Sequence, residues 1–317
     1  MTLVFQLDGK IPNIAIMRLV SHFRERGEEI EFRWTGNPCK ELWDNPKAVY
    51  ASAIFEKTRP AVDQLKKEFP NAVVGGTGVS LELNLEDIGI QTIKQDYSIY
   101  PKWKQSIGFT QRGCRLKCPF CVVPRKEGRI RTEQTIWDIW RGDPWPKELI
   151  LLDNDFFGQA QWRERIKEIR EGNFRVSFNQ GINARFLSDE AAEAIASVDY
   201  RDDSMKVKRI YTAWDNRKDF ERLFAGLNRL TKYGVKPDHI MVYMLIGYWP
   251  EETENDWLYR SMTLRAFGAR PYPMPFIRNR ATVGFQRWII GAYDKRISWT
   301  DWKRAGFEPR ELRKAAE

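Results

Sequence analysis

Cysteine is scarce in this chain: four residues in 317. That number excludes a disulfide-built scaffold. No apolar run reaches the length of a membrane span. The opening Met-Thr-Leu-Val-Phe-Gln-Leu-Asp reads as a strand and lacks the basic start and long apolar middle of a signal peptide. Internal repeats and low-complexity segments are missing as well. What remains, 42% hydrophobic and 30% charged, is the composition of a globular chain with room for one large domain or two ordinary ones. The expected compartment is reducing, with the cytoplasm as default.

Acidic excess is also missing. The formal charge is +9, which favours anionic partners such as nucleic acid, nucleotides or phosphorylated substrates. From Arg270 to Glu317 there are eleven Lys/Arg against five Asp/Glu. Phe285, Trp288, Tyr293, Trp299, Trp302 and Phe307 are interleaved with them. Basic and aromatic side chains together can follow a phosphate backbone and stack on bases. The competing expectation is a helical cap whose aromatics pack on the domain beneath.

The chain alternates strand and helix from end to end. Residues 1–90 give four short strands and two helices, the pattern of a small parallel α/β domain that is Rossmann-like. Residues 91–105 have weak periodicity and read as a linker. Residues 106–276 give six strand–helix units: strands at Ser106–Thr110, Glu148–Leu152, Arg175–Phe178, Arg209–Trp214, His239–Ile246 and Arg270–Phe276. Pro271, Pro273 and Pro275 count against the last of these. Thr132 is the expected N-cap of a helix running to Trp140. Six units do not make the eight of a closed barrel. Residues 277–317 form a basic, aromatic extension.

Three of the four cysteines sit in one loop, Cys114-Arg-Leu-Lys-Cys118-Pro-Phe-Cys121. The loop follows a strand and precedes a helix, where α/β folds put their chemistry. Thiolates suit iron–sulfur or zinc. Three thiolates can hold three irons of a 4Fe–4S cluster and leave the fourth open to a small molecule. A structural zinc site wants four ligands. Cys39 stands alone in Asn37-Pro38-Cys39-Lys40, and His22 and His239 lie on predicted regular elements far from the loop. Zinc in a non-catalytic nucleic-acid-binding module is the rival reading.

The C-x3-C-x2-C spacing, with Phe120 before the third cysteine, resembles the signature of the radical S-adenosylmethionine (SAM) enzymes. The resemblance covers roughly residues 106–276 and implies an open partial (β/α)6 barrel. It implies a 4Fe–4S cluster on Cys114, Cys118 and Cys121, SAM on the open iron, and an external one-electron reductant of flavodoxin or ferredoxin type. It also implies that Phe120 packs by the adenine. Other SAM contacts follow by position: Asp153 and Asn154 for the amino group, Asn179, Asn183 and Arg185 for the carboxylate, Thr212 and Asp215 for the ribose, and Gly247 at the adenine. Tyr211, Tyr243 and Tyr248 are candidate radical quenchers.

A small α/β domain before such a barrel resembles the cobalamin-binding radical SAM enzymes and the methylthiotransferases. The Asp-x-His-x-x-Gly motif common in cobalamin domains is absent. Some members bind cobalamin without that histidine, so cobalamin stays open and is not favoured. Methylthiotransferases need three further cysteines in the front domain, and only Cys39 is there. The expected substrate is a nucleobase or nucleotide, as in phage-type DNA hypermodification. Cobalamin-dependent methylation of a small molecule or peptide is the alternative.

Overall fold

The structure, a computed structural model, describes residues 1–307. The extension expected over 277–317 is therefore described only as far as Phe307, and residues 308–317 lie outside the described residues. Two compact units divide the chain. The first comprises Met1–Ile107 with Leu116–Gly128, the second Gly108–Arg115 with the chain from Arg129 onward.

The first unit is built on strands β1 (Thr2–Gln6), β2 (Ile30–Trp34), β3 (Ala48–Ser52) and β4 (Val73–Gly75), all parallel in the order β2-β1-β3-β4. Every residue of β1 is buried, as expected for a central strand covered on both faces. Its alternate residues separate to two cores. Leu3 and Phe5 pack with Val62 and Leu65 of helix α2 (Arg59–Glu68). Val4 packs with Ile16, Leu19 and Val20 of helix α1 (Ile14–Arg24). Asn13 starts α1 by accepting a hydrogen bond from Ile16 N at 3.2 Å. A third, four-residue helix, α3 (Val123–Lys126), follows the cysteine loop.

The stretch 91–105 is no free linker. The Arg18 Nε donates to Thr92 O at 2.6 Å, and Arg24 pairs with Asp96 at 2.8 Å. Tyr100 is 4% exposed, donates its hydroxyl to Gln6 and accepts from Asn13 N. Strand β5 (Ser106–Gly108) then leads into the second unit.

There, strands β6 (Gln111–Arg112) and β7 (Arg131–Thr132) pair antiparallel and clasp the base of the cysteine loop. This ladder takes Thr132, so the expected helix over 132–140 is only α4 (Ile136–Ile139). It is capped instead by Thr135, whose side chain accepts from Asp138 N. Then come β8 (Glu148–Leu151), α5 (Trp162–Glu171), β9 (Arg175–Phe178), α6 (Asp189–Ala196), β10 (Asp199–Tyr200), β11 (Ile210–Ala213), α7 (Phe220–Lys232), β12 (Ile240–Ile246), α8 (Glu254–Phe267), β13 (Arg270–Pro275), α9 (Arg280–Ile290) and α10 (Trp299–Arg304).

The six expected strands are present, but not as one sheet. β8, β9 and β10 form one parallel set, with Leu152 N donating to Gly108 O at 2.9 Å beside it. β11, β12 and β13 form another. β10 takes the edge of β9 at Arg175 and Val176, the edge β11 would need to continue the sheet. Two bonds, Ile182 N to Tyr211 O at 2.8 Å and Ala184 N to Thr212 Oγ1 at 3.3 Å, link the chain just beyond β9 to β11. The coarse expectation of an α/β chain with parallel sheets therefore holds, while a continuous partial barrel does not appear as one ladder.

The prolines of β13 do not prevent a strand because they share one parity. Phe276 N donates to Ile246 O at 2.9 Å, so even-numbered residues carry the N–H groups facing β12. The missing donors of Pro271, Pro273 and Pro275 then fall on the outer side, where no further strand pairs.

The helices cover one face of both sheets. Along β12, Ile240, Val242, Met244 and Ile246 are fully buried in that core, while Met241, Tyr243 and Leu245 are half-buried on the other face. The C-terminal aromatics join the same core: Phe285 and Trp302 are fully buried, Trp288 and Trp299 nearly so, and Tyr293 stacks on Trp302 at 4.6 Å. They form a helical cap, with Tyr293 and Phe307 half-buried against it. Among the described residues no helix is long and apolar enough to cross a membrane.

Candidate functional site

The cysteine loop leaves β6 through Gly113, whose φ of 79° lies in the left-handed region that glycine tolerates. Cys114 belongs to the second unit, Cys118 and Cys121 to the first. None of the three thiols is in a disulfide, and all three are half-buried; Cys39 is likewise outside any disulfide and is exposed. Cys121 N donates to Cys118 O at 3.0 Å, a tight turn that carries Phe120, itself half-buried. Among the described residues no group of three or more His, Cys, Asp or Glu side chains is gathered to hold a metal ion. The donor chemistry, three cysteines outside any disulfide within eight residues and no fourth ligand type in the loop, fits a soft metal or an iron–sulfur centre.

Behind Cys114 lies a buried polar network from the end of β8. Asp153, 3% exposed, accepts from Thr110 N at 2.7 Å, from Gln111 N at 3.2 Å and from the Thr110 hydroxyl. Burial pushes its carboxyl up to about 7 against the pull of those hydrogen bonds. Gln159 Nε2 donates to Thr110 Oγ1 at 2.9 Å. The Gln111 side chain donates to Arg112 O at 2.7 Å and Gly113 O at 2.6 Å, and accepts from Asp155 N at 3.1 Å. Asp155 is 2% exposed. Arg115 Nη2 donates to its Oδ1 at 3.3 Å, and Arg115 Nε approaches Oδ2 at 2.8 Å as an ion pair out of line for a hydrogen bond. Burial raises the Asp155 carboxyl, and Arg115 opposes that shift. Asn154, between the two acids, is half-buried.

The other expected positions divide by the alternation of their strands. On β9, Val176 and Phe178 face the core, while Ser177 and Asn179 take the opposite face and both donate to Asp203, at 2.6 and 2.8 Å. On β11, Thr212 is on the core side, 2% exposed, and accepts from Ala184 N at 3.3 Å. Asp215 continues the opposite parity, its carboxyl raised by burial, and accepts from Leu245 N at 3.4 Å. Arg185 is held by Asn183 Oδ1 at 3.2 Å and Asp219 at 2.7 Å. Gly247 has φ 74° and donates its N–H to Glu252 at 2.9 Å.

Arg260, fully buried on α8, joins the ends of β11 and β12. It donates to Trp214 O at 2.7 Å and Leu245 O at 2.9 Å, and pairs with Glu252. This brings the loops carrying Asp215 and Gly247 together. The sequence reading missed Arg260, although an arginine inside the α8 pattern was a signal of a buried charge needing partners.

On the face away from the helices, Tyr211 and Tyr243 stack with ring centroids 5.6 Å apart, and Tyr272 meets Tyr243 edge-on at 5.5 Å. Burial, with the Asp203 charge adding to it, raises both stacked phenols, Tyr243 to about 12 and Tyr211 well above its ordinary value. Tyr248, the third expected quencher, packs edge-on against Trp249 and Phe276. Parallel sheets usually carry aliphatic residues on both faces. Here one face is instead Ser177, Asn179, Tyr211, Tyr243 and Tyr272 around Asp203, the makings of a floor for a polar, ring-bearing ligand.

No protein-family model matches the chain, and no curated protein matches it.

Proposed function

We propose that the chain is a radical SAM enzyme acting in the reducing environment of the cytoplasm. The observation that carries the reading is the trio Cys114, Cys118 and Cys121, none in a disulfide, on a loop that follows a strand of an α/β chain with parallel sheets. These three residues would hold a 4Fe–4S cluster. When bound, that group supplies the electron that splits SAM to a 5′-deoxyadenosyl radical, and an external one-electron donor recharges it. Phe120 would lie by the adenine. Asn154, Asn179, Asp215 and Gly247 share the parity of the face away from the helices and are the better-placed contacts for SAM. Asp153 and Thr212 are turned to internal partners.

The proposed substrate is a nucleobase or nucleotide. Two features support it: the +9 charge and the tyrosine floor with Asp203, whose carboxylate can accept from ring or exocyclic N–H groups. A base within duplex would have to be flipped out to reach it. Positioning, and not radical reactivity, would set which C–H bond is attacked. The cobalamin alternative draws no support from the end of β1. Asp8 there is occupied by Ile54 N, Phe55 N and the Thr58 hydroxyl at 2.7–2.9 Å.

Anaerobic reconstitution with iron and sulfide, then SAM and dithionite, tests the reaction class. The expected result is 5′-deoxyadenosine, lost in Cys118→Ala. Metal analysis that finds zinc and no iron overturns the reading in favour of a structural module. Oligonucleotides added to the active mixture should show a mass change on a base.

A further inference from the structure

We infer that Asp155 is a positioning residue for the first cysteine, acting through Gln111 and Arg115 on either side of Cys114. This rests on the proposed role of the cysteine loop, and it concerns how the loop is held. Cys114 sits between two residues that are both tied to Asp155. On one side, the Asp155 backbone N–H holds Gln111 Oε1, and Gln111 Nε2 holds the carbonyl of Gly113 at 2.6 Å. On the other, the Asp155 carboxylate grips the Arg115 guanidinium at 2.8 and 3.3 Å. Gln111 is fully buried and Asp155 nearly so. One hydrogen bond and one ion-pair contact from a buried carboxylate hold the guanidinium in place.

Gly158 supplies an independent sign that the space is shaped for this carboxylate. A Cβ at Gly158 would lie 2.3 Å from Asp155 Oδ2 and 2.7 Å from Ile130 Cδ1, so it would crowd the carboxylate between them. The residue at 158 has ordinary backbone angles, since it is not among the positive-φ glycines. Space, and not conformation, therefore demands glycine there. The last turn before α5 thus leaves room for an acid that points back to the cysteine loop.

The test uses the metal-free full-length chain and reads each thiol by timed alkylation with iodoacetamide and peptide mass spectrometry. Cys118, Cys121 and the exposed Cys39 are internal references. Asp155→Asn weakens the grip on Arg115. Gly158→Ala displaces the carboxylate with every charge kept. Arg115→Lys keeps the charge and loses the fork on a side chain 37% exposed, so it folds even where a core variant fails. Each should raise the alkylation rate of Cys114 relative to Cys121 by about tenfold, the change that losing one charge-assisted hydrogen bond gives local opening. Iron bound per chain after reconstitution should fall in the same order. An unchanged Cys114-to-Cys121 ratio in Arg115→Lys and Gly158→Ala overturns the inference even if iron loads normally. A changed ratio in a chain that takes up no iron sustains it and removes the proposed function instead.

Discussion

Replacing Arg260 by methionine should destabilise the second unit severely. The side chain is fully buried and serves three acceptors: Trp214 O, Leu245 O and Glu252, whose own side chain is 7% exposed. Methionine fills a similar volume but donates nothing, so two carbonyls lose a donor and a carboxylate is stranded in the core. Breaking a buried pair from one side costs about 3–5 kcal/mol. For a unit of this size each kcal/mol moves the midpoint by about 2–4 °C, so Arg260→Met should lower Tm by about 6–20 °C. Ten of the 13 tryptophans lie in the second unit, and tryptophan fluorescence therefore follows its unfolding. Adding Glu252→Gln removes the stranded charge and keeps an acceptor for Gly247 N. The double variant should regain about half of the loss, a coupling expected between residues in direct contact. A single variant within about 2 °C of wild type, as for an ordinary surface change, would refute the reasoning. So would a double variant less stable than the single one.

Trp302→Ala should cost about 3–5 kcal/mol, as for a large core side chain, yet leave DNA retention per folded molecule unchanged, because the ring is fully buried and bonds Gly284 O at 3.1 Å. By contrast, Arg278→Ala with Arg280→Ala should reduce the salt slope of DNA binding by about 2 without loss of stability, and unaltered retention of that variant on a DNA column would count against a nucleic-acid substrate. Asp256 closes a capping box with Thr253, whose N–H and hydroxyl hold its carboxyl down to about 2. Since the folded pKa lies below the ordinary 3.8, its contribution is complete above that value and fades as pH falls toward about 2. Asp256→Asn should remove about 1 kcal/mol near neutral pH and flatten that acid limb, the effect staying small because the site is near the surface.

Much of the architecture was legible because each element carries its own local signal. Ser188 before Asp189, and glycine at 234 and 268, are local boundary signals, and the structure starts or stops a helix at each, with φ of 99° and 88° at the two glycines. The failures came from tertiary pairing. Nothing local distinguishes Thr132 as a ladder residue from Thr132 as a helix cap; its partner Gln111 lies across the cysteine loop. Likewise the break between β9 and β11 follows from β10, two residues that win an edge by packing and by no propensity of their own. The aromatics of the C-terminal region look the same in sequence whether they face bases or a core. Their spacing on α9 and α10 decides in favour of the core, since Phe285, Trp288 and Ile289 recur on one face of α9.

The acids after β8 show how strand parity could have sharpened the site. Leu149 and Leu151 face the helices. Asp153 and Asp155 continue that parity, so an extended chain carries them to the helix side, and Asn154 with Ile150 and Leu152 to the other face. The structure follows this parity: both acids are 3% exposed or less and turn to Thr110, Gln111 and Arg115. The same parity puts Asn179, Asp215 and Gly247 on the face away from the helices and Thr212 on the helix side. A polar residue at the end of a strand is thus only half an argument for ligand contact. Its register against the buried residues of that strand supplies the other half, and here it places the candidate Asp153, with Asp155, among buried internal partners beside the cysteine loop.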